Sequence, residues 1–306
     1  MLRNVCYVTL QIKHFGAIVM PPLNQDTAGP RRFTQPYDWE AIDAEIHASG
    51  GVILEGLFSA EQVATFNRET DAYLGTHQDA GKPGSGSSSY DQFLGHRTVR
   101  MQGLIEKMPS AADWIGESAL CDWANRTLQP VSSSVLLNAA ELIQIGPGEP
   151  RQYLHRDTDS WPVAPLGEHP LIVNALVALD AFTLDNGATH LVPGSFAWNR
   201  DKKAQPEEML RAEMAPGDGL LFRGDIVHGG GANDTDRPRR AVSISYCVGW
   251  LRPVENSFLN IPRESAKRLP RHVQSLLGYS VYDGSRDKGG LVGLYENGDP
   301  AVVLEG

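Results

Sequence analysis

The middle of the chain alternates between apolar runs and clusters of turn-forming residues. Four runs rich in Val, Ile, Leu and aromatic residues lie at 134–146, 171–182, 219–228 and 239–251, and a shorter one lies at 51–57. Turn sequences such as GPGEP, LDNG, APGDG and GGGANDTDRP separate the four longer runs. Segments of this length, bounded by Gly, Pro, Asn and Asp, are typical of antiparallel strands joined by tight turns.

Helical spacing flanks these strands on both sides. Residues 38–49 carry apolar positions at helical intervals, and Ser59 with Gln62 three residues later forms a capping-box pattern. Further helices are predicted at 110–128 and 263–278. Helices on both sides of a run of strands favour a mainly β fold with flanking α-helices, namely a β-sandwich or jelly roll.

The pattern contains no internal repeat and no clear linker between domains. We therefore predict a single domain over 38–306, preceded by a flexible N-terminal extension at 1–37 whose first part, 1–19, is dispensable. The stretch 80–90 (AGKPGSGSSSY) is either a mobile active-site loop or a passive surface loop, and the passive interpretation is favoured without other information.

Composition and charge narrow the classes of protein. The formal net charge of −10 and the lack of a long Lys/Arg run argue against a nucleic-acid partner. No apolar segment is long enough to span a membrane. The three cysteines, Cys6, Cys121 and Cys247, form no CxxC pair, which argues against a disulfide scaffold or a thiolate zinc site. A reducing, cytoplasmic location is predicted.

The segment QYLHRDTDSW at 152–161 contains the first candidate metal ligands. His155 and Asp157 are two residues apart, so on an extended backbone their side chains point to the same face. An imidazole and a carboxylate can then converge on one ion. An HxD pair alone is weak evidence, because it occurs by chance in many chains.

A third candidate ligand, His228, lies in GDIVHGG at the end of a separate predicted strand. Two histidines and one carboxylate form the facial triad of non-haem Fe(II) oxygenases. Such a triad leaves coordination positions for a chelating 2-oxoacid and for dioxygen. The sequence therefore predicts an Fe(II) site at His155, Asp157 and His228.

A cation follows at a suitable position. Arg239 begins the strand that returns after His228, and a guanidinium binds a carboxylate such as the distal one of 2-oxoglutarate as a fork. Arg237 and Arg240 are competitors, although strand alternation places Arg239 and Arg240 on opposite faces. Taken alone, each of these features is more often structural than functional, and it is their combination that points to an oxygenase.

The chain resembles the phytanoyl-CoA dioxygenase family. The resemblance covers roughly residues 50–255 and is carried by HRD at 155–157, NGATHLVPGS at 186–195, PGDGLLFRGDIVHGGGAN at 216–233 and RPRRAVSISY at 237–246. The segments at 95–109 and 260–279 are similar to those of the fungal-type enzymes that tailor natural products.

The resemblance implies a double-stranded β-helix, also called a jelly roll or cupin-like fold, that uses Fe(II), 2-oxoglutarate and dioxygen. It implies that His155, Asp157 and His228 bind iron and that Arg239 binds the far carboxylate of 2-oxoglutarate. The Thr189 hydroxyl would support the same carboxylate, with an ordinary polar residue at a strand end as the competing interpretation. It further implies a homodimer whose C-terminal region forms a lid.

The resemblance also assigns a position to Gln152, which would contact the co-substrate, although an ordinary polar residue at a strand end is the competing interpretation. One departure stands out. The family often has His where this chain has Phe196, and Phe196 would then shape the substrate pocket. Related halogenases replace the carboxylate at position 157 by a small residue, so the intact Asp157 argues for oxygen transfer or desaturation.

The predicted substrate is a mid-sized, mostly apolar small molecule that undergoes hydroxylation, desaturation, epoxidation or rearrangement. Trp161, Met101 and Trp250 are candidate pocket residues, but core packing is the more common role of such side chains. An acyl-CoA hydroxylase would need basic residues for phosphates. Only His96, Arg97 and Arg100 cluster suitably, and they could equally bind an acidic substrate or join an ion pair. A cupin-like metalloenzyme without 2-oxoglutarate and a non-catalytic binding protein are the remaining alternatives.

Overall fold

The computed structural model describes residues 29–82, 84, 87–161 and 166–305. The predicted dispensable segment 1–19 and most of the predicted 1–37 extension lie outside these residues. In this part of the chain, no helix has both the length and the apolar character needed to cross a bilayer.

Twelve strands account for the sheets of the described chain. They are β1 Arg32–Phe33, β2 Gly51–Leu54, β3 Thr98–Met101, β4 Val135–Ile145, β5 Ile172–Ala178, β6 Thr189–Val192, β7 Leu210–Ala212, β8 Gly219–Arg223, β9 Val227–Gly229, β10 Arg239–Val248, β11 Tyr282–Asp283 and β12 Leu291–Val292. All four predicted long runs contain strands, and the run 219–228 divides into β8 and β9.

Nine α-helices lie within the described residues. They are α1 Trp39–Ser49, α2 Ala60–Thr76, α3 Ser88–Leu94, α4 Leu104–Lys107, α5 Ala111–Ile115, α6 Ser118–Leu128, α7 Ser257–Asn260, α8 Arg263–Lys267 and α9 Arg271–Leu276. The predicted capping box is confirmed, because the Ser59 hydroxyl accepts from the backbone N–H of Gln62 while the Gln62 side chain accepts from the N–H of Ser59.

Two predicted long helices are each divided in the structure. The segment 110–128 forms α5 and α6, and Ser110 does not cap the first of them, because its hydroxyl donates to Glu69 Oε2 at 2.7 Å instead. The segment 263–278 forms α8 and α9, which are interrupted at Pro270 since proline cannot continue the hydrogen-bond ladder of α8. Residue 88, predicted to lie in a loop, begins α3.

The larger sheet has seven strands in the order β1-β2-β8-β5-β10-β4-β3. Its neighbouring pairs are antiparallel except for β1 and β2, which are parallel. Because Arg32 pairs with Ile53 in that edge pair, the predicted flexible extension at 1–37 ends too late, and ordered structure begins before residue 38.

The smaller sheet has three strands in the order β7-β6-β9 and faces the larger one. The chain passes from the larger sheet to the smaller one in the short connection between β8 and β9. A smaller apolar cluster fills the space between the sheets and includes Leu176, Leu191 and Phe222. A larger cluster lies between the seven-stranded sheet and the helices. His228 of β9 pairs with Leu191, a member of the smaller cluster, so the His228 side chain faces the space between the sheets.

Candidate metal centre

His155 and His228 lie opposite each other on adjacent extended segments. Each donates its backbone N–H to the carbonyl of the other at 2.9 Å, which forms an isolated antiparallel bridge at the edge of β9. Because the two residues form a directly opposed pair, their side chains emerge on the same side. The centroids of the two imidazole rings are 4.4 Å apart.

Asp157 completes a three-residue cluster. Its Oδ1 lies 3.5 Å from His155 Nε2 and 3.7 Å from His228 Nε2. The three potential ligand atoms all lie within 4.8 Å of one another. This spacing suits three ligands on one face of an octahedral ion, as in the facial triad of non-haem iron enzymes.

Hydrogen bonds orient both imidazoles. His155 Nδ1 lies 3.2 Å from the Tyr153 carbonyl oxygen, and His228 Nδ1 lies 3.0 Å from that of Ile226. A carbonyl only accepts, so in both rings Nδ1 carries the proton and Nε2 keeps its lone pair for a metal.

A residue of the larger sheet holds the Asp157 carboxylate in place. The Asn174 side-chain amide donates to Asp157 Oδ2 at 2.7 Å, which leaves Oδ1 directed at the histidines. Sequence reasoning missed Asn174. Its only signal was an amide in the otherwise apolar strand IVNALVA.

The electrostatics favour the protonation states that bind metals. Burial opposes the charge of Asp157, but His228, His155 and the Asn174 hydrogen bond together lower its pKa to about 2. Burial also lowers the pKa of His228 to about 4, and the nearby Asp157 carboxylate only partly offsets that effect. At neutral pH Asp157 is therefore a carboxylate and His228 a neutral imidazole, which are the metal-binding forms.

A buried arginine supports the strands that carry the ligands. Arg156 donates to the carbonyl oxygens of Asp225 at 3.1 Å and Ser195 at 3.0 Å. The Ser195 hydroxyl in turn accepts from the backbone N–H of Val227 at 2.7 Å. The HRD, PGS and GDIVH segments are thus linked directly, which explains why these motifs occur together.

Arg239 is buried beside this cluster, at only 2% exposure. It donates to the carbonyl oxygen of Gly187, and its guanidinium lies 3.9 Å from the ring centroid of Phe182. Arg239 Nε is buried without a hydrogen-bond partner, and no carboxylate in the described chain forms an ion pair with this side chain. Burial and the nearby Arg100 lower its pKa to about 9, and the Asp180 carboxylate, which forms no ion pair with it, only partly offsets them, so a bound carboxylate would compensate the remaining charge.

The adjacent Arg240 lies in a different environment. It donates to Gln144 and forms an ion pair of 2.7 Å with Asp71 of α2. The predicted opposition of Arg239 and Arg240 across the strand is therefore present in the structure. The donor set and the isolated charge together fit a redox-active divalent metal with a chelating dicarboxylate.

Comparison with known proteins agrees with this arrangement. The model of the family described as phytanoyl-CoA dioxygenase (PhyH) matches residues 46–241. The chain belongs to the phytanoyl-CoA dioxygenase family. The assignment made from the motifs is thereby confirmed, and with it the enzyme class of dioxygenase.

Relatives of this PhyH family member include fungal dioxygenases. Dioxygenase swnH1 of Arthroderma benhamiae is 31% identical over 286 residues, which is 87% of this chain and 89% of the relative. The iron/alpha-ketoglutarate-dependent dioxygenase penM of Penicillium thymicola is 31% identical over 262 residues, covering 81% of this chain and 80% of penM.

Solved structures confirm the predicted double-stranded β-helix. The epimerase SnoN, solved with Fe3+, alpha ketoglutarate and nogalamycin RO, superposes with a TM-score of 0.56 over 72% of this chain and 88% of its own, at 21% identity. EctD from S. alaskensis, solved with 2-oxoglutarate and 5-hydroxyectoine, has a TM-score of 0.54 at 20% identity over 67% and 74% of the two chains. These likenesses concern the fold.

The two other predicted co-substrate residues of this PhyH protein differ in their surroundings. Thr189 is buried at the start of β6, two residues after the Gly187 carbonyl that Arg239 contacts. Gln152 already has two backbone partners, since its amide donates to the Phe93 carbonyl at 3.1 Å and accepts from the N–H of Gly230 at 3.2 Å. Both assignments stay predictions.

Helix α3 contributes aromatic residues that the sequence interpretation overlooked. The Phe93 ring meets the His155 ring edge-on, with centroids 4.7 Å apart.

Arg100 donates to the Leu94 carbonyl and pairs with Glu141 at 3.3 Å, so the ion-pair interpretation of Arg100 is confirmed. The prediction that 80–90 is a passive surface loop does not apply to its last residues, 88–90. These residues belong to α3, which contacts the predicted metal ligand His155 through Phe93.

Several candidate pocket residues serve the structure instead. Met101 is buried in the larger core, and Trp161 packs against that core. The Phe196 ring is buried, with its centroid 3.9 Å from the Arg223 guanidinium, and its expected part in the substrate pocket stays a prediction. Trp250 lies beyond the far end of β10 from Arg239.

The C-terminal segment lines a cavity at one end of β4. Residues 292–295 border a volume of about 690 Å³ together with Ser134 and Trp250. Ser134 precedes β4, whereas Arg239 pairs with the last residue of that strand, so this cavity lies at the opposite end of β4 from Arg239. The lid role of the C-terminal segment stays a prediction.

Proposed function

We propose that this protein is an Fe(II)- and 2-oxoglutarate-dependent dioxygenase that oxidises a small molecule. The observation that carries the proposal is the convergence of His155, Asp157 and His228 beside a buried guanidinium without an anionic partner. Fe(II) with 2-oxoglutarate and dioxygen supplies the oxidising chemistry when bound.

The chain's own residues position and protect that chemistry. The two imidazoles and the carboxylate would hold the metal from one side and leave its other side open for small molecules. Arg239 would bind the distal carboxylate of 2-oxoglutarate through two parallel hydrogen bonds, with Thr189 adding its hydroxyl. Phe93 and its neighbours on α3 would exclude water from the open side.

The main competing function is a cupin-like metalloenzyme that does not use 2-oxoglutarate. Such an enzyme would share the triad but would have no use for a buried cation that forms no ion pair within the described chain. Burying a lone guanidinium is costly unless an anion binds there, so Arg239 favours the oxygenase. An acyl-CoA substrate is less well supported, because Arg100 is matched by Glu141.

Succinate formation tests the proposal. The purified protein with Fe(II), 2-oxoglutarate and dioxygen should release succinate, and Ala substitutions of His155, Asp157 or His228 should abolish release while the fold survives. His169→Ala, which alters a partly exposed histidine outside the cluster, is the matched control. Unchanged succinate formation in any triad variant, or none in the wild type, would refute the assignment.

The proposed physiological role is the tailoring of a natural product. Motif similarity to fungal-type tailoring enzymes supports it, and an intact Asp157 supports oxygen transfer or desaturation over halogenation. A cytoplasmic location is proposed as well. It is supported by the free thiols of Cys121 and Cys247.

A homodimer is the proposed assembly. Nine of the twelve exposed large apolar side chains in the described residues lie between Trp250 and Val302, and Leu259 is 81% exposed. An apolar surface of this kind marks an interface more often than free surface. Sedimentation should give the mass of two chains, and Leu259→Asp should weaken the association. A monomer at micromolar concentration would contradict this proposal.

A further inference from the structure

The inner face of β4 carries a carboxylate. Ile143 of β4 packs against the apolar cluster between the two sheets, and Glu141 lies two residues before it on the same face. Arg100 of β3 pairs with Ile143 across the strands and therefore shares that face. Glu141 thus opens into the space between the sheets, where the metal centre lies.

The strand register gives the separation of Glu141 from the metal centre. Glu141 pairs with Ser243 of β10, and Asn174, whose amide holds Asp157, pairs with Ser245 of the same strand. With strands roughly 4.8 Å apart and a rise of about 3.3 Å per residue, the Cα atoms of Glu141 and Asn174 are about 12 Å apart. One mid-sized molecule can span this distance.

Glu141 retains capacity to accept hydrogen bonds. Its Oε1 accepts from Gln102 at 2.8 Å and its Oε2 from Arg100 at 3.3 Å, and its side chain is 21% exposed. A carboxylate offers about four acceptor positions, so about two are left for a ligand. The two partners fix the carboxylate in place without enclosing it.

Three aromatic rings border the same space. The Phe93 centroid lies 5.9 Å from that of Tyr90, 5.2 Å from that of Tyr153 and 4.7 Å from that of His155. Tyr90 and Tyr153 are about half exposed. Burial and the neighbouring Glu141 carboxylate raise the pKa of Tyr90, which shows that ring and carboxylate share one environment.

We infer that Glu141 and the rings of Tyr90, Phe93 and Tyr153 bind a protonated amine, so the substrate is a mid-sized basic amine. Ring faces attract cations, and the carboxylate accepts from the N–H group. Arg100 already lies 6.0 Å from the Phe93 ring centroid and offers an alternative contact to an anion, but the half-exposed Tyr90 and Tyr153 rings and the net charge of −10 favour the cation. The inference rests on the proposed function, because the metal centre supplies the reaction to which this amine would be subject.

A pair of probes that differ in one charge tests the inference. 1-Benzylpiperidine is protonated at neutral pH, and 1-benzoylpiperidine is a neutral amide of similar shape. Calorimetry on the holoprotein with Fe(II) and 2-oxoglutarate, without oxygen, should show the amine binding about tenfold more tightly than the amide. Glu141→Gln should remove most of this preference, and Tyr153→Leu, a change at an exposed position, should reduce it.

Two controls make the outcome decisive. Asp71→Asn alters a carboxylate that pairs with Arg240 away from the metal centre, and it should keep the amine preference. Equal binding of both probes to the wild type, or an intact preference in Glu141→Gln, would overturn the inference. A raised 2-oxoglutarate requirement with an unchanged preference in Glu141→Gln would mean that Glu141 only orients Arg100, which also overturns it. Succinate formation is measured separately, so its absence would count against the dioxygenase and not against the amine site.

Discussion

Arg239 is a buried cation that forms no ion pair within the described chain, and the Asp180 carboxylate only partly offsets the effect of burial. Arg239→Ala should therefore raise the KM for 2-oxoglutarate by about 10- to 100-fold, because hydrogen bonds to a charged group contribute roughly 1.5–3 kcal/mol. Iron affinity should change little. Steady-state kinetics of succinate formation and a separate metal titration would distinguish the two effects.

Arg240 provides the matched control for this prediction, because it follows Arg239 in β10 but pairs with Asp71 of α2. Arg240→Ala should leave the KM for 2-oxoglutarate near that of the wild type. If Arg240→Ala raises this KM and Arg239→Ala does not, the assignment of the co-substrate arginine is wrong.

Asn174 positions the Asp157 carboxylate without being part of the predicted ligand set. Asn174→Ala should weaken Fe(II) binding by roughly 10- to 100-fold, the usual effect of removing a hydrogen bond to a metal ligand. A direct titration of the protein with Fe(II) would measure this. Wild-type affinity in the Ala variant would show that Asp157 needs no support from β5.

Asp157 itself decides between two kinds of chemistry. Replacing it by Gly removes the carboxylate and leaves space at the metal for an anion from solution. Asp157→Gly with Fe(II) and 2-oxoglutarate should therefore respond spectroscopically to added chloride, whereas the wild type should not. Identical spectra of the variant with and without chloride would contradict this expectation.

At the scale of elements, strands were easier to predict from the sequence than helices. Runs such as 134–146 are mostly apolar and end in turn residues, and this information is local. The division of 110–128 into two helices falls instead at Gly116 and Glu117, where the Glu117 side chain caps α6. A Cβ at position 116 would lie 2.7 Å from Val273 of α9, and this packing joins residues distant in sequence, so helical spacing alone could not predict the break.

The metal centre shows the same distinction. His155, Asp157 and His228 were predictable because strand periodicity and the HxD spacing are local properties, and the structure brings the three together. Asn174 and Phe93 could not be predicted as neighbours of the metal centre, because the residues near them in sequence form no metal-binding motif. Their positions follow from how β5 and α3 pack against the HRD segment, which is a property of the complete fold.

The start of α2 offers a prediction confined to one element. Ser59→Ala removes the side-chain acceptor for the N–H of Gln62 and should lower the free energy of unfolding by about 1 kcal/mol. Ser118→Ala, at the first residue of α6, is a control, because Glu117 and not Ser118 caps that helix. Urea denaturation would measure both, and an equal loss in the two variants would argue against the cap.

At the scale of the whole molecule, the metal ligands join separated parts of the fold. His228 comes from β9, whereas His155 and Asp157 come from the segment after β4, so a bound ion would fasten these parts together. Fe(II) with 2-oxoglutarate should therefore raise Tm, and a chelator should lower it to the value without metal. The Tm of His228→Ala should not respond to either addition.

A buried thiol in the larger sheet makes the free energy of unfolding depend on alkaline pH. Cys247 lies in β10, is fully buried in the larger core, and has its pKa raised by burial to about 12 from an ordinary 9.0. The unfolded thiol ionises above about pH 9 while the folded one stays neutral, so its contribution to stability is complete below pH 9 and is lost as pH rises towards 12. Each pH unit within this window costs about 1.4 kcal/mol, and about 2 kcal/mol is lost by pH 10.5. Cys247→Ala should have a lower free energy of unfolding than the wild type at pH 7. Between pH 9 and 10.5, however, the free energy of unfolding of the variant should fall by less than that of the wild type. Denaturant unfolding at each pH would measure both. Parallel pH profiles for the two proteins would mean that the thiol reaches solvent in the native state.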